Sequence, residues 1–340
     1  MPDIPKHILV IRLSAMGDVA MTVPVISALI NQNPHLKITV LTRAFFKPFF
    51  NDLKQVSVVI ADVKGEHKGV FGIYKLARQL NNVSKFYAVA DLHNVLRSQL
   101  LKTFLRCRRT ITLNKGRKEK KALIKGELFK PLKTTHQRYA QVFEKLGFPI
   151  DLSQPRFLDK RTLSKKVLSL LGNNKQKFLG IAPFAAHAGK MYPIDLMQQV
   201  IHELSKKHRI VLFGGGDNEI RHLNNIEKAN KNVLSVAGKV SFEEEVAIIS
   251  NLDLMLSMDS GNGHIAAMFG VKVITIWGVT HPYAGFAPFG QPEDYALLSD
   301  RKQYPKIPTS VFGNKYPENY KEVSRSILPE TIIEKVIAVI

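Results

Sequence analysis

Asp18 closes the stretch Arg12-Leu13-Ser14-Ala15-Met16-Gly17-Asp18, which follows the branched apolar run His7–Arg12 (HILVIR). That run reads as a strand and Asp18–Asn31 as helical, so the carboxylate falls where a strand ends and a helix opens. Exposed N–H groups at a helix start favour a carboxylate, and Gly17 permits a tight turn or a positive φ. A plain helix cap is the simpler reading of this spacing. The chemical reading is a general base toward a hydroxyl, because α/β sheets keep their chemistry at the carboxyl ends of their strands.

Three further stretches place reactive residues at such junctions. Lys190 ends the small-residue loop Ala182-Pro183-Phe184-Ala185-Ala186-His187-Ala188-Gly189-Lys190. Small residues let backbone donors approach a phosphate, and the lysine supplies charge. The stretch is not a P-loop, since Phe184 occupies the first glycine position and Met191 replaces the Ser/Thr; an ordinary loop with a solvent lysine stays open. Phe213-Gly214-Gly215-Gly216-Asp217-Asn218-Glu219 fails the G-x-G-x-x-G pattern at Glu219. A glycine-rich turn ending in a carboxylate suits a ribose diol, although spacing alone favours a plain loop. In Met258-Asp259-Ser260-Gly261-Asn262-Gly263-His264, Asp259 or Ser260 would cap the following helix, and Gly261 and Gly263 leave room for a ligand. An anion placed there would meet backbone N–H groups at the positive helix end. His264 taken alone reads as a satisfied core histidine.

Other chemistries find little support. Eleven histidines are scattered, without an H-x-x-x-H helix or an Asp-x-Asp pair, so no metal is expected. No G-x-S-x-G elbow occurs. The single cysteine, Cys107, excludes a disulfide scaffold within the chain and a Cys-rich zinc site.

The elements that must position these residues form a repeated alternation of short apolar runs and helical stretches. Runs at 36–42, 56–61 and 86–92 follow the first strand, with helical stretches at 70–80 and 97–106. The alternation restarts with runs at 178–182, 209–213, 253–257 and 271–277. Such alternation implies parallel sheets with helices on both faces. The stretch 147–157 (GFPIDLSQPRF), with its glycine and two prolines, reads as a boundary. The expected fold is therefore α/β, two Rossmann-like doubly wound lobes facing across a cleft. The expected domains are 1–155, 156–328 and a C-terminal helix, 329–340, packing back on the N-terminal lobe.

At 340 residues the chain suits about two domains of ~150 each. With 45% hydrophobic residues it is no disordered polymer. Its 49 Lys and Arg against 28 Asp and Glu leave a net charge of +21. Such a chain is drawn to polyanions: nucleic acid, an anionic membrane face or phosphorylated substrates. The basic residues concentrate between Lys102 and Lys133, where Lys115, Arg117 and Lys118 open the stretch NKGRKEKKALIKGELFK, of weak strand character. A solvated surface loop and a docking surface for phosphate groups are both open readings of it. No apolar run reaches the ~18–20 residues a spanning helix needs, and Arg12 and Asp18 interrupt the apolar N-terminal stretch. A cytoplasmic location is expected, with a peripheral position at the inner face of the membrane as a further expectation.

The ordered set of motifs resembles the glycosyltransferase family that contains the lipopolysaccharide heptosyltransferases. Its members open with a strand, a Ser-x-x-Gly-Asp turn and a proline-bearing helix, here ILVIRLSAMGDVAMTVP. The late Asp-Thr/Ser-Gly-x-x-His-x-x-Ala signature is matched by DSGNGHIAA, and a Gly-x-Thr-x-Pro turn follows in VITIWGVTHP. Between them lie DLHNVLRSQLL, THQRYAQVFEKLGF and KMYP. The resemblance implies the GT-B arrangement, an acceptor-binding front lobe, a rear lobe for the nucleotide sugar, and inverting transfer without metal or other cofactor. It implies a heptose moving from an ADP-linked donor to a lipopolysaccharide-core or similar lipid-linked, phosphorylated acceptor. Carried over by position, Asp18 is similar to the base on the acceptor hydroxyl and Lys190 to the cation on the donor diphosphate. Asp259, Ser260 and Gly261 resemble the diphosphate loop, with His264 beside it, and Glu219 the carboxylate on the ribose. Ser14 and Gly17 shape the turn near the sugar, and Arg97 matches a basic residue facing the acceptor. Ala185 and Ala186 depart from the hydroxyl residues that often precede the lysine, and His281 from the acid often found in the late turn. Two other readings stay open: a non-catalytic polyanion- or nucleic-acid-binding protein on the same scaffold, and a nucleotide-sugar epimerase. The first has no zinc finger or aromatic RNA-binding signature behind it, so no nucleic acid is expected as a partner.

Overall fold

The computed structural model describes residues 6–172 and 177–340. Two compact units divide the chain: residues up to Lys115 together with Thr135–Leu158, and Gly116–Thr134 together with Asp159–Ile340.

The front unit is built on β1 (His7–Ile11), β2 (Lys37–Thr42), β3 (Val56–Ile60), β4 (Ala88–Asp91) and β5 (Thr110–Thr112). All are parallel, in the order β3-β2-β1-β4-β5. The central strands are covered on both faces, so they are continuous runs of buried branched residues rather than alternating ones. The helices are α1 (Met16–Ala20), α2 (Thr22–Gln32), α3 (Gly69–Val83) and α4 (Leu96–Phe104). After α5 (Arg117–Ile124), which belongs to the other unit, α6 (Thr135–Lys145) returns to this one. One face of the sheet packs Leu9, Ile11, Leu41 and Val89 against Leu76, Ala77 and Leu80 of α3 and Leu101 of α4. The helical stretch expected from Asp18 to Asn31 is two helices meeting at Met21. Pro24 has no N–H to offer the preceding turn, so the ladder stops and restarts with the proline in the first turn of α2.

The second unit contains α5, then α7 (Lys165–Leu171), β6 (Phe178–Ala182), α8 (Ile194–Ser205), β7 (Arg209–Leu212), α9 (Asp217–Ala229) and β8 (Val233–Ser235). It continues with α10 (Phe242–Ser250), β9 (Leu254–Met258), α11 (Gly261–Met268), β10 (Lys272–Trp277), β11 (Ala296–Leu298) and α12 (Pro329–Val339). Its six parallel strands run β11-β10-β9-β6-β7-β8. Both sheets reverse their strand order beside their first strand, between β1 and β4 and between β6 and β9. Crossovers leave in opposite directions there and open a crevice at the strands' carboxyl ends.

Two boundary expectations are corrected. The basic segment 116–134 is not part of the front domain. It enters as helix α5 rather than as weak strand, and its Leu123 and Leu132 are buried with Ala284, flanked by Tyr283 and Phe286. Leu132 N–H donates to Tyr283 O at 3.0 Å, and Lys120 lies 3.9 Å from the Phe286 ring centre. The C-terminal helix is not a separate piece but part of the second unit. Ile332, Val336 and Val339 of α12 are buried in the second unit's core with Met197, Val200 and Ile201 of α8. Burying that apolar stripe within its own unit removes it from water, the main driving force available to an amphipathic helix. Among the described residues, no helix is long and apolar enough to cross a membrane.

Candidate active-site residues of the two units

In the front unit the functional candidates sit at the carboxyl ends of β1 and β4, which are hydrogen-bonded neighbours although far apart in sequence. Asp18 is the third residue of α1, and its Oδ2 accepts the Ala15 N–H at 3.3 Å, as a first-turn carboxylate should. The same oxygen is 2.5 Å from Arg12 Nη2. Arg12 is buried directly after β1; its Nη1 donates to Leu92 O at 2.6 Å and its guanidinium faces the Tyr139 ring at 5.9 Å. Tyr139, wholly buried on α6, donates its hydroxyl to Asp18 O at 3.1 Å. The carboxylate is thus fixed through one oxygen, while the side chain keeps 29% of its surface exposed. Ser14 lies half-buried in the preceding turn. Gly17 is inside α1 and, of the two conformations open to it, does not adopt a positive φ.

Beside this group stands His93. Its Nδ1 accepts the Leu13 N–H at 3.3 Å, so the neutral ring carries its proton on Nε2. Burial first, and then the Arg12 and Lys115 cations, push its imidazole down to about 4, so it is neutral at pH 7. The β4 end is held by Asp91, which has no exposed surface. Its Oδ1 accepts the N–H groups of His93 and Asn94, and its Oδ2 takes the Ser98 hydroxyl and lies 2.8 Å from Lys102 Nζ. This buried, fully bonded carboxylate locks the turn that carries His93 and opens α4, on whose first turn Arg97 is exposed.

In the second unit Lys190 ends a short 3-10 turn after β6, and Asp259 follows β9, again neighbouring strands. Lys190 Nζ is 2.7 Å from Asp259 Oδ2 and 3.3 Å from Asp259 O; the Thr280 hydroxyl donates to the same Oδ2 at 3.0 Å. Close backbone approach fixes the lysine turn: Val279 N–H donates to Gly189 O at 2.8 Å, and a Cβ on Gly189 would lie 2.6 Å from Gly313 O. No side chain fits at Gly189, which is why a glycine precedes the lysine. Ser260 is the N-cap of α11, yet its side chain makes no cap bond and its buried Oγ has no partner among the described residues. Gly261 opens that helix, and Gly263 packs it on β9, where a Cβ would stand 2.6 Å from Ser257 Oγ. His264 is buried one residue on. Glu219, in the first turn of α9, accepts the Gly215 N–H through Oε2 at 2.8 Å and so closes its own glycine loop. His281, buried in the late turn, accepts the Tyr283 N–H at 3.2 Å and is pushed down to about 4 by burial and by Arg301.

The structure therefore brings Lys190, Asp259, Ser260 and Gly261 together. The expected acceptor set is divided, with Arg97 and Lys115 in the front unit and the exposed Arg117 and Lys118 on α5 in the second. Sequence reasoning missed Arg12, His93, Tyr139 and Thr280. Arg12 carried a signal, a charge at the end of an apolar strand, and Thr280 stood in the Gly-x-Thr-x-Pro turn; the other two become neighbours only through folding. Among the described residues no three His, Cys, Asp or Glu side chains gather as a metal site requires.

Two parallel sheets of this order, with charged groups at both switch points, define a Rossmann-like α/β protein whose ligand sites lie at the strands' carboxyl ends. Residues 73–316 match the sequence profile described as "Glycosyltransferase family 9 (heptosyltransferase)", and the chain belongs to that family and is a glycosyltransferase of heptosyltransferase type. Lipopolysaccharide core heptosyltransferase OpsX of Haemophilus influenzae is 24% identical over 98% of this chain and 96% of its own. The glycosyl transferase family 9 structure from Veillonella parvula superposes with a TM-score of 0.75 at 18% identity, covering 98% of this chain and 97% of that one. E. coli heptosyltransferase WaaC, solved with ADP, superposes at 0.71 and 15% identity, over 98% and 100%. These likenesses establish the GT-B type of fold for both units.

Proposed function

We propose that the protein transfers a heptose, with inversion and without metal or other cofactor, from an ADP-linked donor to a lipopolysaccharide-core or similar lipid-linked, phosphorylated acceptor. The acceptor oxygen attacks the anomeric carbon, its proton passes to Asp18, and the bond to the diphosphate breaks as ADP leaves. Arg12 and the Ala15 N–H occupy one carboxylate oxygen and aim the other. The observation that carries the reading is the convergence of Lys190 and Asp259 at the start of α11, where Ser260 Oγ and the first-turn N–H groups have no helical acceptor. Lys190 and that positive helix end stabilise the departing diphosphate, as a reaction without a metal needs. His264 lines that helix, Glu219 holds the ribose, and Ser14 and Gly17 shape the sugar's surroundings. Arg97, Lys115, Arg117 and Lys118 serve the phosphorylated acceptor. The enzyme works in the cytoplasm, peripherally at the anionic inner membrane face.

A thermal-shift panel of ADP, UDP, GDP and single-stranded DNA tests this, because ligands that bind the native state raise its stability by mass action. ADP alone should raise Tm, and Lys190→Ala should weaken that effect. Asp18→Asn should abolish turnover while leaving the ADP shift nearly intact. A response to DNA only, or loss of both properties together in Asp18→Asn, would reject the assignment.

A further inference from the structure

The second unit contains a groove of about 590 Å³ that none of the roles above uses. One wall is the end of α5 and the turn after it, with Ile124, Lys125 and Phe129; the other is formed by 301–317, with Arg301, Lys306 and Lys315. Four cations line it, one of them, Lys125, paired with Glu127 at 3.1 Å, and no carboxylate is among the lining residues. Arg301 is held in place: its Nε donates to Ile307 O at 2.8 Å and its guanidinium lies 3.5 Å from the Phe129 ring centre. Lys306 and Lys315 are exposed, with no carboxylate within ion-pair distance among the described residues. The remaining lining is apolar or aromatic, including Ile307, Pro317 and Tyr316. The groove abuts the lysine turn, because Thr309 N–H donates to Val279 O at 2.9 Å, and Tyr316 is packed where a Cβ on Gly189 would lie.

We propose that this groove binds a phosphorylated saccharide, and, on the reading given above, that it holds a phosphorylated sugar of the acceptor. Its volume suits a mono- or disaccharide. Tyr316 offers apolar surface to the C–H side of a pyranose, while Lys306, Lys315 and the guanidinium fixed on the Phe129 ring take the phosphate. Segment 116–134, part of the second unit, contributes Ile124, Lys125 and Phe129 to this site.

Isothermal titration of the full chain with glucosamine 1-phosphate, glucosamine and inorganic phosphate tests it. Glucosamine 1-phosphate should bind, the other two should bind more weakly, and Lys306→Ala/Lys315→Ala should lose about tenfold in affinity. The ADP-induced Tm shift of that variant should equal the parent's, since neither lysine belongs to the Lys190 and Asp259 group. Parent-like affinity in the variant, or no binding by the parent, overturns the groove. Equal affinity for inorganic phosphate overturns the saccharide. An absent ADP shift alongside lysine-dependent binding of the sugar phosphate instead refutes the donor assignment and leaves the groove standing.

Discussion

Asp91 and Lys102 show how much one buried pair decides. The carboxylate has no exposed surface and accepts four hydrogen bonds or ion contacts from His93, Asn94, Ser98 and Lys102. Removing the cation leaves the charge buried, and Lys102→Met should cost about 3 kcal/mol in urea unfolding; a change near zero would show that the backbone donors suffice. His93 supplies a pH dependence with a definite sign. Its folded value of about 4 lies below the ordinary 6.5. The unfolded chain therefore takes up the proton first as pH falls, so this contribution is complete above 6.5 and declines from there toward 4. The stability advantage of wild type over His93→Gln should shrink between about pH 7.5 and about pH 5; parallel curves would contradict it. His281, likewise pushed down to about 4, acts with the same sign in the second unit.

Elements that read clearly from sequence are those with a strong single signal. The strands flanking both switch points are largely apolar, with Asp91 ending β4 and Ser257 inside β9, because each is buried on both faces. The three-residue strands β5 and β11 carry too few side chains for any period to emerge. Helix α9 carries a weak signal in sequence because DNEIRHLNNIEKA buries only Leu223 and Ile226. For α12 the amphipathic stripe was legible but its partner was not, since an apolar face specifies burial without naming what covers it. Ile332, fully buried against that core, should cost about 2–5 kcal/mol when changed to Ala. Chemical denaturation checks this, and a loss confined to the front unit's transition would contradict the placement of α12.

For the whole molecule the governing quantity is a net charge of +21. Attraction of that kind to an anionic membrane is long-ranged and screened by salt. Co-sedimentation with phosphatidylglycerol-containing vesicles should be strong at about 50 mM salt and largely lost at about 500 mM. Binding that survives high salt would point to apolar insertion, for which the exposed Phe71 and Leu96 of the front unit would be the first residues to substitute.

The amino-acid order alone determined the parallel α/β class, the strand ends at which Asp18, Lys190 and Asp259 sit, and the family resemblance. These are local properties, set by apolar runs and by the turns that follow them. Tertiary structure decided which of those ends meet. β1 pairs with β4, and β6 with β9, across intervening strands and helices, and only that pairing sets His93 beside the Arg12 and Asp18 turn and gives Lys190 the Asp259 carboxylate. It also moved 116–134 into the second unit, because the leucines that anchor the segment find their apolar partners around Ala284, a contact that local sequence does not encode.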